Sequence, residues 1–234
     1  MINNELVSLI ISTHNAENTL EESLESIFTQ TYNNLEILLM DDFSTDKSQE
    51  IIKRMNNKYP NLKTFRNTKN LGLTKSLNRL LKKTSGKYIA RHDVDDLSDV
   101  NRIAEQVHFI NENNLDGCTT RAKIKNSNRT IPNLSFYFPP KLVLKYKNPF
   151  VHGSLMLKSQ VINEIGFYDE NFYYAQDYKL MKDLVVSNYN IQIMKKPLYI
   201  LNTENNISSN YKSEQQYFAD CVKKNKIPQK HKLI

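Results

Sequence analysis

An α/β fold with a mixed, mostly parallel central sheet flanked by helices is what this 234-residue sequence predicts. Two observations lead there. Over residues 7–112 short apolar runs alternate with stretches of helical periodicity, the pattern of βαβ units. The ends of these runs turn abruptly polar or acidic, at Ser12-Thr13-His14-Asn15, Asp41-Asp42 and Asp93-Val94-Asp95-Asp96. Ligands of such sheets bind beyond the carboxyl ends of the strands, so those three clusters mark the edge where a ligand belongs.

Taken in order, residues 7–12 (VSLIIS) read as a buried strand. Residues 19–30 set Leu20, Leu24, Ile27 and Phe28 on one helical face. A second strand spans 35–40 (LEILLM), and a helix over 45–58 aligns Ile51, Ile52 and Met55. A short strand at 62–66 is followed by a helix over 73–83 with Leu73, Leu77, Leu80 and Leu81 in register. Residues 87–91 form a fourth strand and 100–112 a helix. Beyond that the pattern weakens. Residues 123–135 read as a polar loop, and Pro139, Pro140 and Pro149 interrupt the middle. A strand at 154–158 and a helix at 177–187, with Leu180, Leu184 and Val185 inward, complete the reading. The basic tail 223–234 is expected to fray.

Composition narrows the function. Hydrophobic residues make up 39% and charged residues 24%, a globular balance that excludes wholesale disorder. The net charge of +7 favours anionic partners. A nucleic-acid surface would gather cations and aromatics on one face, whereas the lysines here are spread along the chain and the strand ends are acidic, so no nucleic-acid partner is expected. Cys118 and Cys221 stand far apart with no CxxC spacing, which excludes a disulfide framework and a cysteine zinc site and fits a reducing, cytoplasmic setting. The run from Val7 to Ile11 is too short for a signal peptide or a span, and no basic segment precedes it. The expectation is a soluble, cytoplasmic protein able to sit at the inner face of a membrane. The five glycines form neither GxGxxG nor GxxxxGK[ST], which removes the fingerprints of dinucleotide-binding dehydrogenases and P-loop NTPases. A sugar-phosphate nucleotidyltransferase would need a glycine-rich phosphate loop after the first strand, and VSLIISTHN has none.

The acidic clusters carry the chemistry. In an extended chain residues i and i+2 point the same way, so Asp93 and Asp95 would present two carboxylates together. Such hard oxygen ligands suit Mg²⁺ or Mn²⁺ completed by substrate phosphates; in isolation the same residues are equally a solvated acidic turn. Asp42 is placed to accept hydrogen bonds from a base or a ribose hydroxyl, while Ser44 and Asp46 read as caps of the following helix. Asp177, alone, is an ordinary acid in the first turn of a helix. Phe150, Phe167, Tyr168, Phe172, Tyr173 and Tyr174 cluster nearby and read mainly as core.

Together VSLIISTHN, LEILLMDDFSTD, NLGLTKSLN, YIARHDVDDLS and NPFVHGSLMLKSQVINEIGFYDENFYYAQDYKL resemble, in order and spacing, the family 2 glycosyltransferases of the GT-A fold. The likeness runs from about Val7 to about Val186. It implies an inverting hexosyl- or N-acetylhexosaminyltransferase using a nucleotide-sugar donor, UDP-linked by preference, and a glycan or lipid-linked acceptor. Ser12, Thr13, His14, Asn15, Glu17, Asp42, Lys75, Asp93 and Val94 would hold the nucleotide. Asp93 and Asp95 would hold Mn²⁺ or Mg²⁺. Asp177 would be the general base, with His152, Gln176 and Asp96 on the acceptor side. The implied layout is a single catalytic domain over 1–212, with nucleotide-binding (1–100) and acceptor-binding (101–212) halves, then a C-terminal helix and basic tail over 213–234. Three positions depart from the family pattern: Ser12 where proline is common, His14 where an aromatic is common, and Gln176 where glutamate is common. The last predicts an altered acceptor preference.

Overall fold

A computed structural model of the chain describes residues 4–203 and 211–229. Its strands join one nine-stranded sheet in the order β3-β2-β1-β4-β8-β6-β9-β5, with β7 paired to β6. Strand β1 (Val7–Thr13) lies between β2 (Leu35–Asp41) and β4 (Tyr88–Arg91), parallel to both, and β3 (Leu62–Arg66) runs parallel to β2. Every residue of β1, β2 and β4 is buried. Burial on both faces is why these strands read as continuous apolar runs rather than as alternating ones.

Alternation along the strands then divides the core. Ile10, Leu38 and Met40 join Leu77, Leu80 and Leu81 of α3 (Leu73–Leu81) on one face. Leu9, Ile11, Ile37 and Leu39 join the opposite core, against α1 (Leu20–Phe28), α2 (Ser48–Lys58) and α4 (Arg102–Glu112). Helices α6 (Ser159–Ile165), α7 (Gln176–Val186) and α8 (Lys212–Lys223) add Val161, Leu180, Leu184, Phe218 and Val222 to the α3 face. Truncating one such leucine to alanine costs about 2–5 kcal/mol.

The second half of the sheet differs from the expected loop-rich reading. Residues 123–135 are not a plain loop: β6 (Gly117–Ile124) turns back into β7 (Thr130–Ile131). Strand β6 is antiparallel to β8 (Met156–Lys158) and parallel to β9 (Ile191–Leu201), with an irregularity on either side of Arg121. Strand β8 falls within the strand expected at 154–158, but β6 and β9 carry Thr, Lys, Arg and Pro instead of clean apolar runs, so periodicity gave no signal for them. A short strand β5 (Leu97–Ser98) pairs antiparallel with the end of β9, which brings Asn202 beside the acidic turn after β4. A four-residue helix α5 (Pro140–Val143) lies between β7 and β8. Residues 224–229 are hydrogen-bonded back onto α8: Lys226 N–H donates to the Cys221 carbonyl and Gln229 N–H to the Tyr217 hydroxyl at 3.0 Å. The rest of the basic tail, 230–234, lies outside the described residues. Among the described residues no helix is long and apolar enough to cross a membrane.

Candidate active site

A cavity of about 560 Å³ opens at the carboxyl ends of β1, β2 and β4. Its walls include Ser12, Thr13, His14 and Asn15 from the first strand end, Asp42 from the second, and Asp93, Val94 and Asp95 from the fourth. Glu17 and Lys75 are not among them. Glu17 braces the loops, its carboxylate accepting Lys47 N–H at 2.9 Å, and Lys75 is exposed on α3.

The loops after β1 and β2 are tied to each other. Asn15 N–H donates to Ser44 Oγ at 3.0 Å, Ala16 N–H to Ser48 Oγ at 2.9 Å, and Glu17 N–H to Asp46 Oδ2 at 3.0 Å. Ser44 ties these loops and does not cap α2, whose N-cap position is Lys47, while Asp46 both ties the loops and accepts Ser48 N–H with Oδ1. His14 Nδ1 lies 2.9 Å from the Asp42 carbonyl and Nε2 lies 3.0 Å from Asn70 Nδ2. With the carbonyl as acceptor, Nδ1 carries the proton and Nε2 accepts.

Asp42 is buried, and its carboxylate accepts Leu71 N–H, Gly72 N–H and Asn67 Nδ2–H, each at 2.8 Å. A carboxylate offers about four acceptor sites, so Asp42 chiefly holds the 67–72 loop in place. Gly72 sits at φ +83°, and a Cβ there would stand 2.6 Å from the ring of Tyr173. Tyr173 is the cavity aromatic that sequence reasoning assigned to the core. It is 43% exposed, while Phe150, Tyr168, Phe172 and Tyr174 are buried as expected and Phe167 is partly so. Thr13 Oγ1 is buried with no hydrogen-bond partner among the described residues.

The acidic segment is not extended. Asp96 N–H donates to the Asp93 carbonyl at 3.2 Å, closing a turn over Val94 and Asp95. The two carboxylates reach the cavity through this turn and not through strand alternation. Asp93 Oδ1 pairs with Arg91 Nη2 at 2.5 Å, and Asp93 N–H donates to the Tyr199 hydroxyl at 3.0 Å. Asp96 is buried behind them, with Oδ1 accepting Asn202 N–H at 2.8 Å. Burial, and then the neighbouring Asp93, push the Asp95 carboxyl up to about 6. Burial, and then Asp93 and Asp95, push Asp96 up to about 9.

Such crowding of carboxylates is what a divalent cation relieves, and an all-oxygen donor set suits Mg²⁺ or Mn²⁺. Among the described residues no three His, Cys, Asp or Glu side chains form a metal cage.

Behind the turn lies a buried polar layer that the sequence reading passed over. His92 is fully buried between Ser23 Oγ at 2.9 Å and Ser98 Oγ at 3.2 Å, and burial, then Arg102 and Arg91, hold it well below the usual histidine range. Arg102, also fully buried, donates to the Arg91 carbonyl at 3.1 Å and lies over the Tyr199 ring. Nothing in the spacing of single residues announces this layer, since its members come from α1, the end of β4, β5, α4 and β9.

Asp177 stands apart from the cavity. It faces a second groove of about 430 Å³ with Asn148, Lys212 and Gln215, and its Oδ2 accepts Asn148 Nδ2–H at 2.8 Å. Gln176, next to it, is buried. The Tyr168 hydroxyl lies 2.7 Å from His152 Nε2, and the charge of Arg91 acts on both residues. Burial, and then Arg91, lower His152, while the charges of Asp93 and Asp177 both act on it in the opposite sense. His152 and Tyr168 are thus within electrostatic reach of both carboxylates.

This sheet, with its acidic turn at the strand ends, is the GT-A fold of glycosyltransferases. The chain belongs to glycosyl transferase family 2, whose profile matches residues 8–166, and it is a glycosyltransferase. It is 33% identical over 169 residues to the putative glycosyltransferase EpsE of Bacillus subtilis, covering 69% of this chain and 59% of that one, so it spans about three fifths of that relative. It is 28% identical to WfgD of Escherichia coli, a UDP-Glc:alpha-D-GlcNAc-diphosphoundecaprenol beta-1,3-glucosyltransferase, over 78% of this chain and 71% of that one. The fold matches S. aureus TarS in complex with UDP-GlcNAc at a TM-score of 0.77 and 22% identity, covering 97% of this chain and 69% of that one. It matches a Pyrobaculum calidifontis mannosyltransferase in complex with GDP-Man and Mn²⁺ at 0.75 and 19%, covering 96% and 66%.

Proposed function

We propose that the chain transfers a hexosyl or N-acetylhexosaminyl group from a UDP-sugar to a hydroxyl of a glycan or lipid-linked acceptor, with inversion at the anomeric carbon. The observation that carries this is the turn Asp93-Val94-Asp95 in the wall of a cavity framed by Thr13, His14 and Tyr173. A planar base suits the Tyr173 ring, and the unpartnered Thr13 hydroxyl offers the donor a hydrogen bond. Asp93 and Asp95 would hold Mn²⁺ or Mg²⁺, which supplies Lewis-acid stabilisation of the leaving diphosphate. WfgD, a glucosyltransferase with a UDP-Glc donor and a diphosphoundecaprenol-linked acceptor, supports the choice of substrates.

Asp177 is the general base of this reading. It takes the proton of the attacking hydroxyl as that oxygen closes on the anomeric carbon from the face opposite the diphosphate. Asn148 orients its carboxylate. His152 and the Tyr168 hydroxyl, 2.7 Å apart, lie within electrostatic reach of both Asp93 and Asp177. Work on an acceptor at a membrane would place the enzyme at the inner, cytoplasmic face.

Calorimetric titration with UDP, with and without Mn²⁺, tests the donor half. Binding that requires Mn²⁺ and is lost in Asp95→Ala is expected. Absence of binding to wild type under both conditions would remove UDP, and the same result with dTDP and GDP would remove the nucleotide-sugar reading altogether.

A further inference from the structure

The lysines are spread along the chain, yet the acids are not: residues 117–163 contain eight Lys or Arg and no Asp or Glu. Within that stretch the surface around α5 also gathers exposed apolar side chains. Among the described residues eleven large hydrophobic side chains are exposed, and five of them fall between 134 and 146: Leu134 (74%), Tyr137 (70%), Phe138 (54%), Leu142 (45%) and Tyr146 (71%). Lys141, Lys145 and Lys147 alternate with them. No ion pair joins these three lysines to a described carboxylate, whereas Lys125 and Lys158 in the same stretch have acidic partners.

The segment is anchored from beneath, so its exposure is a held conformation. Val143 and Leu144 are buried, and the Tyr178 hydroxyl donates to the Leu144 carbonyl at 2.6 Å. Arg121 Nε–H donates to the Pro132 carbonyl at 3.1 Å, and its guanidinium lies over the Phe136 ring. With Val143 and Leu144 turned inward, Leu142, Lys145 and Tyr146 are left outside.

We propose that residues 134–147 form a docking surface for an anionic lipid bilayer. Amphipathic aromatics and lysines on one short face are the composition that settles at the headgroup level, aromatic rings among the upper acyl chains and ammonium groups against anionic headgroups. Charge complementarity selects the bilayer as occupant: three unpaired lysines in an acid-free stretch repel a second copy of the same surface and attract an anionic one. The surface runs directly into Asn148, which holds Asp177, so a bound bilayer would lie next to the acceptor groove. The choice of a lipid-borne acceptor rests on the function proposed above; the docking surface does not.

The test is sedimentation of the full chain with phosphatidylcholine vesicles containing about 30% phosphatidylglycerol, and with vesicles of phosphatidylcholine alone, at about 0.1 M salt. Binding to the anionic vesicles only is expected. A triple variant Lys141→Glu, Lys145→Glu, Lys147→Glu is expected to bind at least tenfold more weakly. Tyr137→Ser with Phe138→Ser and Tyr146→Ser is expected to lose binding as well, which a purely electrostatic attachment would retain. Metal-dependent UDP binding should be unchanged in both variants, since none of these residues lines the donor cavity. A wild-type chain that binds UDP but no vesicle overturns the docking surface and leaves the proposed function standing. A wild-type dimer in light scattering that the triple serine variant abolishes, without vesicle binding, overturns it in favour of self-association. Vesicle binding without UDP binding supports the surface and counts against the nucleotide reading alone.

Discussion

Gly153 and Asp93 are in contact: a Cβ built on Gly153 would stand 2.7 Å from Asp93 Oδ2 and would meet the Tyr199 hydroxyl as well. The acidic turn is thus held from below by backbone that tolerates no side chain. Gly153→Ala is expected to displace the Asp93 carboxylate. Overpacking of this kind costs about 1–3 kcal/mol, readable in urea denaturation. Metal-dependent UDP binding should weaken more than tenfold, and wild-type affinity in a folded Gly153→Ala protein would mean that Asp93 does not need this position.

Asp177 and the donor cavity are separate depressions, so the two halves of the reaction should separate in mutants. Asp177→Asn keeps an oxygen for Asn148 but removes the proton acceptor. Turnover should fall about 10²–10⁴-fold, with calorimetric UDP affinity unchanged. Retained turnover would mean that another group takes the proton.

Tyr173 is exposed in the cavity and rests on Gly72. Loss of a stacking ring is worth about 0.5–1.5 kcal/mol, so Tyr173→Ala should weaken UDP several-fold while leaving the melting temperature nearly unchanged. Tyr173→Phe should restore binding. A large fall in melting temperature would show instead that the ring serves the core.

Glu36 supplies a pH dependence remote from catalysis. Burial raises its carboxyl, but Lys63 at 2.6 Å, Ser8 at 2.5 Å and both the N–H and hydroxyl of Ser85 at 2.8 Å outweigh this and hold it down at about 2. In the unfolded chain the carboxyl titrates near 4.3, so between those values the unfolded state binds more protons and stability rises with pH. The contribution is complete above the unfolded value and disappears as pH falls towards 2. Glu36→Gln should lower stability at pH 7 by about 1–3 kcal/mol and flatten the acid limb of the stability curve, followed by chemical denaturation across pH 2–6. A variant with an unaltered acid limb would show that these donors do not act on the charge.

Much of the first half was legible because burial on both faces of β1, β2 and β4 demands apolar runs, and amphipathic helices covering them demand helical spacing. The strand ends were legible for a related reason: a chain leaving a buried sheet must find polar partners, and three acidic or polar clusters at those exits have one place to go. The single sequence therefore determined the α/β class, the cavity edge at Ser12, Asp42 and Asp93, and the glycosyltransferase resemblance. It did not determine β6 and β9, where Thr119 and Thr120 are buried, Lys123, Lys195 and Lys196 are exposed and Pro197 interrupts the run, so no apolar pattern marks the strands. Only the tertiary structure decided that Asp42 is occupied by the amides of Leu71 and Gly72, that Tyr173 faces the cavity, that Glu17 and Lys75 stand outside it, and that Asn202 meets Asp96 across 106 residues. Hydrogen bonds and charge contacts act over a few ångströms whatever the separation along the chain, so residues distant in sequence become a site only when the sheet closes around them.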